Sequence, residues 1–182
     1  PLHVIVDRDG VLNVEGAVPV REPAQWRWER GASEGLALLA GVRARVSVVT
    51  NQAAVGRGEI GIDDVERLHR WLAHRLVERG VRLVGIFACP HAASAGCRCR
   101  KPAPGFVEAA VRASGVAPAA TVLVGDDLRD LAAASAGGVE GWLVRTGKGA
   151  AIEPEVPPGV RRFDDLAGAA SAIVAVHAAQ VG

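Results

Sequence analysis

Residues 2–13, LHVIVDRDGVLN, join a short apolar run to two aspartates and a glycine. The run LHVIV (2–6) does not alternate between apolar and polar residues, which is typical of a strand buried on both faces of a parallel sheet. Four later runs have the same character. They are RVSVVT (45–50), LVGIFAC (83–89), TVLVG (121–125) and GWLVR (141–145). The sequence therefore predicts five strands of a mainly parallel sheet.

Helical patterns separate these strands. The clearest spans 63–80, where apolar residues recur at helical spacing, Asp63 with Glu66 forms a start signal and Gly80 a stop signal. Further helices are predicted over 33–42, 104–115 and 128–138, with a last one near 164–180 after a proline-rich connector at 152–159. Alternating strands and helices predict a doubly wound α/β fold with helices on both faces of the sheet.

Length and composition favour a compact protein of ordinary balance. The 182 residues are 49% hydrophobic and 23% charged, with a formal net charge of +1. We expect one domain over 1–182, with the connector and helix at 150–182, no large cap domain, and a monomer. The near-neutral charge gives no reason to expect nucleic acid or an anionic membrane as a partner. Apolar runs shorter than a membrane span and the lack of a signal-peptide pattern predict a cytoplasmic location.

Polar side chains collect where the predicted strands end. The first strand runs into Asp7 and Asp9, the second into Thr50 and its two amide neighbours, and the fourth into GDDLRD (125–130). Because ligands of open α/β sheets bind at the carboxyl ends of the strands, these groups are expected at one edge. Clustered carboxylates with a hydroxyl and a lysine are suited to Mg²⁺-dependent phosphoryl transfer.

The third strand leads into a cysteine-rich segment, CPHAASAGCRCRKPAPG (89–105), which contains all three cysteines of the chain. In a reducing compartment, clustered cysteines bind a metal more often than they form disulfides. The alternative is a set of buried thiols without metal. Lys101 follows the last cysteine by two positions, so whatever orders this segment also places that ammonium group.

Four motifs resemble, in order and spacing, those of the haloacid dehalogenase-like phosphatases. They are DRDGVLN (7–13), VVTNQ (48–52), RKPAPG (100–105) and VGDDLRD (124–130). The C-x-H and C-x-C pairs look like the zinc loop of the D-glycero-D-manno-heptose-1,7-bisphosphate 7-phosphatases and the related histidinol-phosphatases. TNQAAVGRG (50–58) and LVRTGKG (143–149) also resemble stretches of the heptose enzymes. The resemblance covers most of residues 3–149 and implies the Rossmann-like haloacid dehalogenase fold.

The resemblance implies a role for each matching residue. Asp7 would be the nucleophile, and Asp9 the general acid that later acts as general base. Mg²⁺ would bind Asp7, the backbone carbonyl of Asp9, and Asp126. Thr50, Asn51 and Lys101 would hold the phosphoryl group. The implied substrate contacts are Arg100, Gln52, Ala53, Glu15, Gly16, Ala17 and Val18. The implied structural zinc ligands are Cys89, His91, Cys97 and Cys99 in the loop 89–99.

The implied activity is hydrolysis of the C7 phosphate of heptose 1,7-bisphosphate through an aspartyl-phosphate, in nucleotide-activated heptose synthesis. The alternatives are a histidinol-phosphate phosphatase and a zinc-stabilised binding module without catalysis. Three loops, roughly 13–30, 51–60 and 89–103, would set the specificity for a small phosphorylated sugar.

Several residues remain open to two interpretations. Asp130 either orients Lys101 or simply lies in the first turn of a helix, where acids are favoured. The WRW segment (26–28) forms either a flap over the substrate or part of the core. His3, His69, His74 and His177 are not expected to be catalytic, and the two on the long helix are predicted at the surface or its boundary. RTGKG (145–149) is interpreted as a turn.

Overall fold

A computed structural model describes residues 1–181, so Gly182, the last residue of the predicted domain, lies outside the described chain. The strands are β1 (His3–Val6), β2 (Arg45–Asn51), β3 (Arg82–Cys89), β4 (Thr121–Gly125), β5 (Glu140–Val144) and β6 (Arg162–Phe163). The helices are α1 (Ala32–Gly41), α2 (Ala53–Gly56), α3 (Ile62–Glu78), α4 (Gly105–Ser114), α5 (Leu128–Ala136), α6 (Gly149–Ile152) and α7 (Leu166–Val181). Within residues 1–181 the strands form one six-stranded sheet in the order β3-β2-β1-β4-β5-β6. Every pairing is parallel.

The central strand shows why the sheet is covered on both faces. Val4 and Val6 of β1 point into an apolar cluster with α1, α3 and α7, whereas Ile5 points into a second cluster with α4 and α5. Successive side chains of a strand face opposite ways, so an unbroken apolar run needs helices on both sides. The predicted doubly wound α/β fold is confirmed.

The order in which successive strands are added to the sheet reverses between β1 and β4, the two strands at its centre. β2 and β3 lie on one side of β1, and β4, β5 and β6 lie on the other. The loops that follow β1 and β4 therefore diverge and leave a crevice at the carboxyl edge, which is where such sheets bind ligands. Among residues 1–181, no separate folded unit is inserted between two strands, in agreement with the predicted lack of a large cap.

The structure differs from the sequence prediction in several local features. A sixth strand, Arg162–Phe163, pairs with β5 between the connector predicted at 152–159 and the last predicted helix. α3 begins at Ile62, and its N-terminal contact is the backbone N–H of Gly61 donating to Asp64, so the proposed Asp63–Glu66 start signal is wrong. Trp26 is buried and packs edge-on against Trp28 and Trp71, which favours the core alternative over a flap.

In the described part of the chain, no helix is long and apolar enough to span a lipid bilayer.

Candidate active site

A cleft of about 330 Å³ opens at the carboxyl edge of the sheet. It is lined by every predicted catalytic, phosphate-binding, substrate-binding and magnesium-binding residue: Asp7, Asp9, Glu15, Gly16, Ala17, Val18, Thr50, Asn51, Gln52, Ala53, Arg100, Lys101 and Asp126. Four strand ends and the loop after β3 contribute to this lining. The topology therefore brings together residues that lie more than one hundred positions apart in the chain.

Lys101 lies at the centre of the cleft floor, and its side chain is almost fully buried. Its Nζ is 2.9 Å from Oδ1 of Asp7 and 2.6 Å from Oδ1 of Asp130, and it donates to the carbonyl of Val49 at 2.8 Å. The two carboxylates raise the pKa of Lys101 despite its burial, so the ammonium stays charged. A buried, fixed cation beside Asp7 is well placed to neutralise a phosphoryl group there.

Asp130 fulfils both of the roles that the sequence left open. It is the third residue of α5, and its Oδ2 accepts from the backbone N–H groups of Asp126 and Asp127, at 3.1 Å each. Its Oδ1 pairs with Lys101. Because both oxygens are occupied by protein donors, Asp130 serves to orient Lys101 and to close the first turn of α5.

Asp127 is the N-cap residue of α5. Its side chain accepts from the backbone N–H of Arg129 at 3.0 Å and forms an ion pair with the Arg129 guanidinium at 2.6 Å. Burial opposes its charge, but these contacts lower the pKa of Asp127 to about 2. Asp127 is therefore a helix cap at the edge of the cleft.

Two glycines leave the space that the carboxylate of Asp126 occupies. A Cβ on Gly10 would come within 2.2 Å of Oδ2 of Asp126, and one on Gly147 within 2.0 Å of the same atom. Oδ2 also accepts from the backbone N–H of Lys148 at 2.8 Å. One oxygen of Asp126 is thereby clamped, which orients the carboxylate within the cleft. RTGKG (145–149) contains the predicted turn, over 146–148, but its contact with Asp126 was not predicted.

The buried carboxylates carry more negative charge than the neighbouring lysine neutralises. Ligand oxygens of Asp7, Asp126 and Asp130 lie within 4.8 Å of one another, and Lys101 forms ion pairs with two of them, Asp7 and Asp130. Burial and the charge of Asp130 raise the pKa of Asp126 to about 7, and the same two causes raise the pKa of Asp7 well above its usual value. Carboxylates arranged this way fit a hard divalent cation such as Mg²⁺, which would offset their repulsion.

The amide residues at the end of β2, Asn51 and Gln52, connect several groups of the cleft by hydrogen bonds. Asn51 donates to the carbonyl of Lys101 and accepts from its backbone N–H, both at 3.0 Å. Gln52 donates to Oγ1 of Thr50 at 2.9 Å and to Oδ2 of Asp9 at 2.8 Å. The side chain of Asn51 is thus used to position Lys101, and Gln52 links the phosphate side of the cleft to Asp9.

The rim of the cleft contains the other predicted substrate contacts. The Nη1 atom of Arg100 is buried and has no hydrogen-bond partner among the described residues, so its N–H groups can donate to a ligand oxygen. Glu15, in the exposed segment 14–18, pairs with Lys148 across the cleft mouth at 2.9 Å. Lys148, Arg57 and Arg129 also line the cleft and were not predicted, because a single basic residue gives no sequence signal of its own.

Cys89, His91, Cys97 and Cys99 converge beside this cleft. The three Sγ atoms are 3.4–3.6 Å apart, and Nδ1 of His91 lies 3.3 Å from Sγ of Cys99 and 3.5 Å from Sγ of Cys89. A disulfide requires about 2.05 Å, so no pair is bonded. These distances between ligand atoms match the edges of a tetrahedron around a zinc ion with Zn–S of about 2.3 Å and Zn–N of about 2.1 Å. The group is compatible with a zinc-binding loop.

Comparison with known proteins places this geometry in a family. A family model described as haloacid dehalogenase-hydrolase-like matches residues 98–169. A D-glycero-beta-D-manno-heptose-1,7-bisphosphate 7-phosphatase from Bordetella bronchiseptica is 35% identical over 173 residues, which cover 94% of this chain and 97% of that protein. The enzyme of the same name from Pseudomonas aeruginosa is 36% identical over 172 residues, with the same coverage. The chain belongs to this phosphatase family. It is a haloacid dehalogenase-like hydrolase of phosphate monoesters.

Solved structures agree with the assignment to this phosphatase family. A D,D-heptose 1,7-bisphosphate phosphatase from B. bronchiseptica, complexed with magnesium and phosphate, superimposes with a TM-score of 0.89 at 34% identity, covering 97% of this chain and 99% of that one. The corresponding protein from Burkholderia thailandensis gives a TM-score of 0.72 at 30% identity, covering 96% and 99%. Membership of an active phosphatase family argues against the catalytically inactive zinc module.

Proposed function

We propose that this phosphatase hydrolyses the C7 phosphate of D-glycero-D-manno-heptose 1,7-bisphosphate, in the synthesis of nucleotide-activated heptose. The observation that carries the proposal is the ion pair of Asp7 with the buried Lys101 inside a cleft lined by every predicted substrate residue. Relatives that match nearly the whole chain bear the name of this activity, and this favours heptose bisphosphate over histidinol phosphate as substrate.

In the proposed first step, a carboxylate oxygen of Asp7 attacks phosphorus as the bond from phosphorus to the sugar oxygen breaks. Oδ1 of Asp7 accepts from Lys101 and from the backbone N–H of Arg8 at 2.7 Å, which leaves Oδ2 without a donor among residues 1–181. Oδ2 is therefore the oxygen available for attack. Asp9 would protonate the departing sugar oxygen, so that the sugar leaves as an alcohol.

In the second step, water attacks the phosphorus of the aspartyl-phosphate, and Asp9 takes its proton. The acyl–phosphate bond breaks, free phosphate leaves, and Asp7 is restored as a carboxylate. Thr50 and Lys101 would hold the phosphoryl oxygens in both steps. The Asn51 side chain acts through Lys101, whose backbone it binds on both sides.

The carboxylates of Asp7 and Asp126 and the backbone carbonyl of Asp9 would hold Mg²⁺, with phosphate oxygens and water completing its coordination. When bound, the ion would offset the charge of the carboxylates and of the transferring phosphoryl group. The raised pKa values of Asp7 and Asp126 support this assignment, because a divalent cation removes the repulsion that causes them. Gly10 and Gly147 fix the carboxylate of Asp126 for this purpose.

Zinc at Cys89, His91, Cys97 and Cys99 would be structural. None of the apolar clusters formed by the described residues includes a residue of 90–104, so this loop has no core of its own. Arg100 and Lys101 directly follow the last ligand, so the metal would fix their direction into the cleft. We further propose that the chain acts as a cytoplasmic, single-domain monomer, with the loops 13–30, 51–60 and 89–103 selecting the sugar.

Phosphate release from heptose 1,7-bisphosphate and from histidinol phosphate, each with Mg²⁺ and with EDTA, tests the proposal. We expect a Mg²⁺-dependent preference for the heptose of about a hundredfold in kcat/KM, equivalent to about 2.7 kcal/mol. A preference for histidinol phosphate would contradict the substrate while leaving the roles of the residues intact. Release that EDTA does not affect would contradict the role of Mg²⁺.

A further inference from the structure

Arg8, a buried residue that borders the cleft, holds the carboxylate of Asp9. Its side chain is 1% exposed, and Nη2 donates to both oxygens of Asp9, at 2.8 and 3.0 Å, while Nε donates to Oδ1 at 3.2 Å. Asn13 adds a bond to Oδ1 at 2.9 Å, and Gln52 one to Oδ2 at 2.8 Å. Asp9 therefore accepts five hydrogen bonds, which together fix the direction of its carboxylate.

His69 in turn holds Arg8. Nη1 of Arg8 donates to Nε2 of His69 at 2.9 Å, which requires a neutral imidazole with its proton on Nδ1. Burial, followed by the charge of Arg8, lowers the pKa of His69 to about 3, in keeping with this neutral form. His69 is 9% exposed and borders the groove between α3 and β3, so its predicted place at the surface boundary is wrong.

Because the guanidinium of Arg8 is rigid, its hydrogen bond to His69 also affects the donors that bind Asp9. The five N–H groups of arginine lie in one rigid plane, so fixing Nη1 on His69 directs the Nε–Nη2 edge toward Asp9. Without the acceptor, Nη1 would be a buried, unpaired donor, and the guanidinium would be expected to turn to satisfy it. Such a turn would move the donors that fix Asp9.

We propose that His69 is a positioning residue for Asp9, acting from α3 through Arg8. The proposal rests on the proposed role of Asp9 as general acid, and it assigns to His69 a function that its place on a helix behind the cleft does not suggest. In the proposed Mg²⁺ site Asp9 contributes only its backbone carbonyl, so no side chain between His69 and Asp9 is a metal ligand. Every contact from His69 through Arg8 to Asp9 is a hydrogen bond of 2.8–3.2 Å.

The test compares leaving groups within each variant. The sugar oxygen of heptose 1,7-bisphosphate needs a proton to leave, whereas p-nitrophenyl phosphate releases a stable phenolate without one. The kcat/KM value reports steps up to transfer of the phosphoryl group to Asp7, so the ratio of the two substrates isolates the general acid. The variants are H69L, which lacks an acceptor, H69Q, whose amide oxygen can replace Nε2, and H74L on the exposed side of α3.

For H69L we expect kcat/KM for the heptose substrate to fall about tenfold, and that for p-nitrophenyl phosphate to stay within about twofold. H69Q should recover most of the loss, and H74L should match the unmodified protein. An equal fall of kcat/KM on both substrates, or no fall on either, would overturn the proposal. Partial unfolding of H69L cannot mimic the expected result, because a smaller amount of folded enzyme lowers both kcat/KM values by the same factor and leaves their ratio unchanged. If the unmodified protein cleaves glycerol phosphate but not heptose bisphosphate, the proposed function is contradicted. The test of His69 can then still be made, with glycerol phosphate as the substrate whose leaving oxygen needs a proton.

Discussion

The Nζ atom of Lys101 lies 2.6 Å from Oδ1 of Asp130, closer than its 2.9 Å contact with Asp7. Both side chains are almost completely buried, and the second oxygen of Asp130 is fixed by two backbone N–H groups at the start of α5. Asp130 is thus the anchor of the cation that faces the nucleophile. Positioning of this kind often contributes as much to a rate as direct contact with the substrate.

Asp130→Asn should weaken catalysis without removing any group that touches the substrate. The amide can still accept a hydrogen bond but carries no charge, so Lys101 would be drawn toward Asp7. We expect kcat/KM with heptose bisphosphate to fall by about tenfold or more. Glu78→Gln, which removes a surface ion pair with Arg75, is the control and should have no effect. An unchanged kcat/KM for Asp130→Asn would show that Lys101 needs no anchor.

Gly147→Ala should lower the affinity for Mg²⁺. A Cβ at this position would lie 2.0 Å from Oδ2 of Asp126, and the backbone φ of +56° is itself unfavourable for alanine. We expect the Mg²⁺ concentration for half-maximal activity to rise about tenfold. Gly138→Ala has a similar φ, +72°, with nothing within 4 Å, so it should cost only about 1 kcal/mol of stability. Equal Mg²⁺ requirements in the two variants would rule out the clamp on Asp126.

Cys97→Ser should disrupt the metal loop more than the chemistry itself. Loss of one thiolate leaves three ligands, and structural zinc contributes directly to folding free energy. We expect the bound zinc, measured by atomic absorption, to fall well below one ion per chain, and the free energy of unfolding to decrease by about 2 kcal/mol or more. Ser94→Ala in the same loop should retain both. Full zinc content and stability in Cys97→Ser would remove Cys97 from the ligand set.

His3 should make stability depend on pH in the acid range. Its imidazole is buried in β1, 2.8 Å from Oγ of Ser47 and 3.3 Å from Oγ1 of Thr121. Burial, followed by the charge of Arg45, lowers its pKa from 6.5 to about 4. The unfolded chain therefore binds the proton more readily, so stability is complete above pH 6.5 and declines as the pH falls toward about 4.

The loss should be largest near the lower end of that window, at up to about 3 kcal/mol. Urea unfolding at several pH values would measure it, with His3→Gln expected to reduce the slope. His74→Gln, at an exposed position of α3, is the matched control. A slope that His3→Gln leaves unchanged would assign the acid sensitivity to other groups.

Much of the fold followed from local sequence patterns. The run at 121–125 forms a strand with the predicted bounds, because a short, apolar, β-branched segment between turns is typical of a buried strand. The strand Arg162–Phe163 could not be predicted, because two residues are too short to show a hydrophobic pattern. This strand exists only through its pairing with β5. The start of α3 was misplaced by one residue, a typical error where several acidic residues adjoin.

The site was predictable where a motif places its chemistry at a strand end, as for Asp7 and Asp126. Arg8 and His69 escaped prediction because their contact joins residues 61 positions apart and depends on the packing of α3. A signal was nevertheless present. His69 lies four residues after Val65 and three before Leu72, which places it on the buried face of the helix.

The most direct test of the account is to trap the phosphoryl group on the enzyme. Heptose bisphosphate carrying radioactive phosphate at C7 would be mixed with the protein and Mg²⁺, quenched in acid within one turnover, and the peptides mapped. The account predicts alkali-labile label on the peptide that contains Asp7, and neither label nor turnover in Asp7→Asn. Turnover without labelled protein, or an Asp7→Asn variant that still releases phosphate, would contradict it.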